Sequence, residues 1–117
     1  MKKYNQKLGK FGEDIAVRYL RKHGYIILDR NIHFRCGEID ILAEKNKILY
    51  FVEVKTRTNT KFGDLEDSVS EGKIDKIQNA IFAYFTLNNV EKSYLVATIF
   101  IYLNRSKKSC KIAYFEL

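Results

Sequence analysis

Apolar residues recur at intervals of three and four positions near the start of the chain, over residues 8–23. This spacing predicts an amphipathic helix, and Gly24 follows where a glycine commonly ends one. Glu13 falls on the apolar side of the helix, where a carboxylate is costly unless it is paired or bound to a metal. Glu13 is therefore either a paired acid near the helix start or part of a functional site. The apolar positions are Leu8, Phe11, Ile15, Ala16, Tyr19 and Leu20.

Three segments rich in Ile, Leu, Val and aromatic residues follow this helix and predict three β-strands. They cover residues 25–34, 37–44 and 48–55. Lys45-Asn46 lies between the second and third segments as turn material, so these two strands are expected to form a hairpin.

Charged residues interrupt the hairpin, which is otherwise the most apolar part of the sequence. Because strand side chains alternate between the two faces of a sheet, Glu38 and Asp40 should share a face with Leu42, and Glu53 and Lys55 should share a face. A hairpin centred between Lys45 and Asn46 places Asp40 opposite Phe51. Asp40 and Glu53 then become diagonal neighbours on one face, about 7–8 Å apart at the backbone.

Two carboxylates at that separation can share a hard divalent cation. Without one they repel each other, which raises a pKa unless a neighbouring cation such as Lys55 offsets the repulsion. The hairpin is therefore the centre of the functional hypothesis.

The second half of the chain predicts a loop, a helix and two strands. Residues 56–67 are rich in Thr, Asn, Lys, Gly and Asp and predict a loop. Ser68-Val69-Ser70-Glu71 has the form of a capping box, and a second helix should run from there to about Leu87. Residues 94–103 and 111–117 predict the last two strands.

Three basic residues of this region are candidates for contacts with phosphate groups. Arg57 and Lys61 lie in the predicted loop, which is either a flap that contacts substrate or a plain solvated loop. Lys73 lies in the first turn of the second helix, where a cation opposes the helix dipole. A contact with an acidic pocket or a bound phosphate would explain its position.

Length and charge narrow the class of protein. A chain of 117 residues is expected to form one domain, and its net charge of +7 suits a polyanionic partner such as nucleic acid. No apolar segment is long enough to cross a membrane, so we expect a cytoplasmic protein with no membrane partner. Cys36 and Cys110 are too few and too far apart for a disulfide framework or a metal site, and we expect reduced structural thiols.

These residues resemble known families. Asp40 followed by Glu53-Val54-Lys55 resembles the PD-(D/E)XK pattern of the restriction-endonuclease-like superfamily. A longer set of motifs, in order along the chain, is similar to the uncharacterised bacterial YraN family. Arg30-Asn31 belongs to that set, and a structural hydrogen-bonding pair is one interpretation of it. The set comprises Gly12-Glu13, Arg30-Asn31, Gly37-Glu38-Ile39-Asp40, Phe51-Val52-Glu53-Val54-Lys55, Arg57 and Phe62-Gly63.

The resemblance implies an α/β fold and a metal centre. The fold would be a restriction-endonuclease-like core, with a mixed central sheet of about five strands flanked by two main helices in the order α-β-β-β-α-β-β. Residues 1–117 would form a single endonuclease-like domain. Asp40, Glu53 and the Val54 carbonyl would hold Mg²⁺ or Mn²⁺, and Lys55 would orient the attacking water. Glu13 would be an outer ligand acting through water, a role for which Glu38 competes.

The implied function is metal-dependent hydrolysis of phosphodiester bonds in nucleic acid. Similarity to archaeal Holliday-junction resolvases implies branched or structured DNA as substrate and a homodimer. A non-catalytic nucleic-acid-binding protein on the same fold is the main alternative, because fold does not fix function. A structural protein whose strand acids pair with Lys55 and Arg57 is a third.

Overall fold

The computed structural model describes the backbone of residues 2–58, 71–89, 91–104 and 106–117. Two helices and five strands lie in these residues, in the predicted order α-β-β-β-α-β-β. The elements are α1 (Lys2–Lys22), β1 (Ile26–Phe34), β2 (Gly37–Lys45), β3 (Ile48–Thr58), α2 (Glu71–Asn88), β4 (Tyr94–Asn104) and β5 (Ser109–Glu116).

The five strands form one mixed sheet in the order β1-β2-β3-β4-β5. β3 and β4 are parallel, and the other neighbouring pairs are antiparallel. A parallel pair needs a crossover connection, and α2 lies in the segment that joins β3 to β4. The predicted mixed five-stranded sheet with two helices is confirmed.

The two helices cover opposite faces of the sheet and bury two separate apolar clusters. Ala16, Val17 and Leu20 of α1 are buried against strand residues that include Ile41, Val52 and Ile99. The second cluster lies beneath α2. Its buried members are Ile39, Leu42, Leu49, Phe51, Ile77, Ala80, Ile81 and Val96.

Two element boundaries differ from the sequence prediction. α1 begins at Lys2 rather than at residue 8, because the Lys and Gln residues before the apolar stripe are good helix formers. β3 continues to Thr58, although the predicted loop starts at Thr56. Arg57 therefore lies on a strand that pairs with β4, and the expectation that it belongs to a loop is wrong.

Part of the prediction falls outside the described residues. The loop residues 59–67, including Lys61, and the capping residues 68–70 belong to this part. α2 is described from Glu71, but the side chain of Lys73 is not. The proposed phosphate contacts of Lys61 and Lys73 stay predictions.

The hairpin between β2 and β3 turns one residue later than predicted. Asn46 and Lys47 both have positive φ, 53° and 67°, as the two central residues of a type I′ turn require. Leu42 consequently pairs with Phe51, and the predicted pairing of Asp40 with Phe51 is wrong. The shift preserves the odd and even faces of the two strands, because each residue's partner moves by two positions.

Cys36 and Cys110 are both free, but they are exposed rather than part of the core. Cys36 lies in the turn between β1 and β2, and Cys110 lies on β5. Neither helix of the described residues has the length and apolarity that a membrane crossing requires.

Candidate functional site

The alternation of side chains along β2 breaks at Asp40. Ile39 and Leu42 both pack in the cluster beneath α2, whereas Ile41 packs in the cluster beneath α1. Two residues separated by three positions cannot share a face in a regular strand. Asn31, which stands across from Asp40 in the β1–β2 register, has a φ of 52°. Both strands are therefore irregular at the same level, and Asp40 lies in the irregularity.

The Asp40 carboxylate is directed along the sheet toward β3. Its Oδ2 accepts a hydrogen bond from the backbone N–H of Val54 at 2.8 Å. The expected common face for Asp40 and Leu42 is therefore wrong. Paired residues of β2 and β3 run as far as Ile41 and Val52, and the same register continued by one residue sets Asp40 opposite Glu53.

Asp40 and Glu53 line one cleft of about 1300 Å³ at this end of the hairpin. α1, β1, β2, β3 and α2 all contribute residues to its walls. The cleft brings together every predicted site residue whose side chain is described. These are Glu13, Asp40, Glu53, Val54, Lys55 and Arg57.

Burial and negative neighbours dominate the electrostatics of Asp40. Desolvation is the main cause that raises the pKa of Asp40 from 3.8 to about 7. The Val54 N–H opposes this rise, while the carboxylates of Glu13, Glu53 and Glu38 add to it. A divalent cation in the cleft would relieve the same repulsion. In the absence of such a cation, about half of the Asp40 side chains would carry a proton near neutral pH.

Glu53 and Lys55 form an ion pair on one face of β3. Lys55 Nζ lies 3.2 Å from Glu53 Oε1, and the two side chains are only 13% and 8% exposed. A buried pair of this kind holds each charge in place, and removing one partner leaves the other uncompensated. The pair therefore places a positive charge beside the acids of the cleft.

α1 reaches the cleft because a glycine lets it approach β3 closely. A Cβ on Gly12 would stand 1.8 Å from Thr56 Oγ1, well inside the contact distance of real atoms. Any larger residue would push the helix away from the strand. The next residue, Glu13, is thereby held at the edge of the cleft.

Arg30 and Asn31 of β1 hold the Glu13 carboxylate. Burial raises the pKa of Glu13, while a hydrogen bond from the Asn31 side chain and the charge of Arg30 lower it. Arg30 Nη2 lies 3.9 Å from Glu13 Oε1 and 2.7 Å from Asp14 Oδ1. The Arg30-Asn31 pair is thus a link between β1 and the acidic end of α1.

The structure adds cleft residues that the sequence did not single out. Arg35 and Cys36 of the β1–β2 turn and Lys76 of α2 line the cleft. Lys76 lies one helical turn after Lys73, and this spacing is the signal in the sequence that points to it. Glu38 is exposed and lies 3.1 Å from His33 Nδ1, and its charge raises the pKa of Asp40 less than the charge of Glu13 does.

The donor set of the cleft fits a hard divalent cation bound partly through water. Among the described residues, no group of three or more His, Cys, Asp or Glu side chains could hold a metal. Asp40 and Glu53 therefore need a backbone carbonyl, such as that of Val54, and water to complete a coordination shell. Oxygen ligands with several retained waters are the usual environment of Mg²⁺.

The match to a protein family covers most of the chain, since the sequence model of "Uncharacterised protein family UPF0102" matches residues 12–110. The chain belongs to this family. A UPF0102 protein of Clostridium beijerinckii is 42% identical over 115 residues, which are 96% of this chain and 92% of the relative. A UPF0102 protein of Flavobacterium psychrophilum is 42% identical over 109 residues, with coverage of 93% and 90%. A UPF0102 protein of Syntrophomonas wolfei is 49% identical over 80 residues, with coverage of 68% and 70%.

The UPF0102 match confirms the YraN-type family that the motifs indicated. It begins at Gly12, the residue that sets the approach of α1 to β3, and it includes every cleft residue except Leu8 and Gly9. Membership of the nuclease superfamily stays a prediction.

Proposed function

We propose that the chain is a metal-dependent endonuclease that hydrolyses phosphodiester bonds in nucleic acid. The observation that carries the proposal is the convergence of Asp40, Glu53 and Lys55 in one cleft, with burial and neighbouring carboxylates raising the pKa of Asp40 to about 7. Acidic side chains that repel one another at the bottom of a cleft are costly to the fold, and a functional site is a common reason to keep them.

Asp40, Glu53 and the Val54 carbonyl would hold Mg²⁺ or Mn²⁺. When bound, such an ion polarises a phosphoryl oxygen and lowers the pKa of a water molecule. The Val54 N–H fixes the orientation of the Asp40 carboxylate before any ion arrives. That preorganisation reduces the cost of binding.

Lys55 supplies the positive charge of the reaction. Its Nζ is held 3.2 Å from Glu53, beside the acids and within the same cleft. From there it would orient the attacking water and stabilise the negative charge that develops on the phosphate. Glu13, held by Asn31 and Arg30, would accept a hydrogen bond from water in the outer shell.

The finer fold assignment belongs to the same proposal. The order α-β-β-β-α-β-β, the mixed sheet and the acids beside the β2–β3 hairpin support a restriction-endonuclease-like core. Branched DNA is the first substrate to test, and a homodimer would allow two strands to be cut. A non-catalytic binding protein on the same fold is less favoured, because buried acids repel a polyanion unless a cation neutralises them.

The test measures metal binding and cleavage separately. Titration calorimetry with Mn²⁺ comes first, followed by incubation with labelled branched, flapped, single-stranded and duplex DNA in Mg²⁺. We expect Asp40→Asn to lose both metal binding and cleavage. Lys55→Met should keep metal binding and lose at least about 100-fold in rate, as the loss of a positioned catalytic group does.

Glu44→Gln is the matched control, because Glu44 lies on β2 but pairs with Lys92 at the surface. It should behave as the unmodified chain does in both assays. Absence of Mn²⁺ binding at millimolar concentration, together with absence of cleavage of every substrate, would overturn the proposal. Nucleic-acid binding that is unchanged in Asp40→Asn, without cleavage by any form, would favour the binding protein.

A further inference from the structure

Three cations of the cleft have no acidic partner among the described residues, and one of them, Arg57 of β3, donates a hydrogen bond to the backbone oxygen of Thr56. Lys55 pairs with Glu53, and His33 pairs with Glu38. By contrast, Arg35 of the β1–β2 turn and Lys76 of α2 are exposed and have no carboxylate within salt-bridge distance in the described part of the chain. Both residues line the cleft and are exposed, so their charges lie beside the space that a substrate would occupy.

Close packing holds these two cations on the same side of the cleft. A Cβ on Gly37 would stand 2.7 Å from the backbone oxygen of Lys76, so the end of the β1–β2 turn lies directly against α2. Ile39, two residues after Gly37, and Ile77, the residue after Lys76, are buried in one apolar cluster. The turn and the helix are therefore fixed to each other by the core.

The other side of the cleft differs in its electrostatics. Toward α1, Arg30 stands behind Glu13 and does not line the cleft; it lies 2.7 Å from Asp14 and 3.9 Å from Glu13, so its charge is already used within the protein. A polyanion approaching the acidic centre would thus find uncompensated positive charge beside the β1–β2 turn and α2, and at Arg57 of β3. Such asymmetry orients a bound nucleic acid as well as attracting it.

We propose that Arg35 and Lys76 form a phosphate-binding lip that takes the nucleic-acid backbone on the α2 side of the cleft. The inference rests on the proposed function, because it names the side on which the substrate of that site enters. The lip contacts phosphates flanking the one at Asp40 and Glu53. It contributes affinity and orientation rather than base recognition.

Charge reversals at the two lip residues are compared with a control reversal in the β2–β3 turn, at the other end of β2. Arg35→Glu and Lys76→Glu are compared with Lys47→Glu, which alters net charge equally in the exposed β2–β3 turn. Binding of labelled branched DNA is measured by fluorescence anisotropy in Ca²⁺, which leaves the substrate uncut. We expect each lip variant to weaken binding roughly tenfold and Lys47→Glu to change it less than about twofold.

The salt dependence gives a second readout of the same contacts. Loss of one phosphate contact should lower the slope of log K against log salt by about 0.9 on duplex regions and about 0.7 on single strands. Thermal denaturation of each variant shows whether it is folded under the binding conditions.

The native cysteines test the lip without any substitution. Cys36 follows Arg35 in the turn and lines the cleft, whereas Cys110 is exposed on β5. Alkylation by iodoacetamide is followed at each cysteine by mass spectrometry, with and without branched DNA in Ca²⁺. We expect DNA to slow the reaction of Cys36 at least about fivefold and to leave that of Cys110 unchanged.

The outcomes separate this inference from the proposed function. Equal weakening by all three reversals, or unchanged alkylation of Cys36 by saturating DNA, would overturn the lip while metal-dependent cleavage stands. Cleavage and binding that are normal in Arg35→Glu and Lys76→Glu would do the same. A chain that neither binds nor cuts nucleic acid would overturn both.

Discussion

The Asp40 carboxylate on β2 accepts a hydrogen bond from the backbone N–H of Val54 on β3, over 2.8 Å. This side chain bridges the two strands beyond Ile41 and Val52, the last residues that pair between them. The bond holds an acid in a half-buried position that the sheet alone would not favour. The candidate site is therefore built from an interruption of the hairpin rather than from its regular part.

The pH dependence of stability should carry the signature of Asp40. Its pKa in the folded chain is about 7 instead of 3.8, so the folded state binds more protons than the unfolded state between those values. Stability from this group is therefore fully present below about pH 4 and falls as pH rises to about 7, by on the order of 4 kcal/mol. Asp40→Asn should flatten this fall in urea denaturation performed without divalent ions.

Glu44→Gln is the control for that measurement, since Glu44 lies at the surface of the same strand beside Lys92. It should keep the pH dependence of the unmodified chain. If Asp40→Asn shows the same slope between pH 5 and pH 7 as the unmodified chain, Asp40 is not the group that titrates there.

Proton competition should make Mn²⁺ affinity depend on pH over the same range. A cation held by Asp40 must displace its proton below about pH 7, so the apparent affinity should fall about tenfold for each pH unit down to about 5. Calorimetric titration at pH 5.5, 6.5 and 7.5 measures this. A flat affinity over the interval would mean that the ion binds only to carboxylates with ordinary pKa values, away from Asp40.

Much of the architecture could be predicted from the sequence. The apolar periodicities defined two helices and five strands in the right order, because each element buries one face in a distinct cluster. The turn of the hairpin was misplaced, because Asn46-Lys47 lacks the glycine that usually marks a type I′ turn. Lys47 adopts the positive φ that the register imposes on it.

The finer geometry of the site depends on tertiary contacts that no local pattern encodes. The orientation of Asp40 along the sheet accompanies an irregularity at Asn31 on the neighbouring strand, whose φ is 52°. The role of Gly12 becomes clear only when Thr56 is seen against it. Likewise, Lys76 enters the cleft because α2 packs on the backbone beside Gly37, which lies far away in the sequence.

The contact between α1 and β3 should make Gly12→Ala destabilising. The added Cβ would meet Thr56 Oγ1 at 1.8 Å and Thr56 Cβ at 2.9 Å, so the helix or the side chain must move. We expect a loss of about 1–3 kcal/mol in the free energy of unfolding, with weaker Mn²⁺ binding because Glu13 moves with the helix. Thr56→Ala should recover part of the loss in a double-mutant cycle.

Gly9→Ala on the same helix is the matched control. No described atom lies within 4 Å of a Cβ at Gly9, so the substitution should add helix propensity and stabilise the fold by about 1 kcal/mol. A Gly12→Ala chain that is also stabilised would contradict the close approach of α1 to Thr56.

The link between Asn31 and Glu13 predicts a change in the titration of an acid on another element. The Asn31 side chain donates a hydrogen bond that lowers the pKa of Glu13 against the effect of burial. Asn31→Gly tolerates the φ of 52° but lacks the donor, so the pKa of Glu13 should rise further and unfolding should cost about 1 kcal/mol less. Asn31→Ala should lose about 1 kcal/mol more, because alanine is strained at positive φ. Carbon-detected NMR of the Glu13 carboxyl measures the pKa directly. An unchanged Glu13 titration in both variants would show that Asn31 matters only to the bend of β1, whereas a shift shared by both would establish it as the residue that positions Glu13.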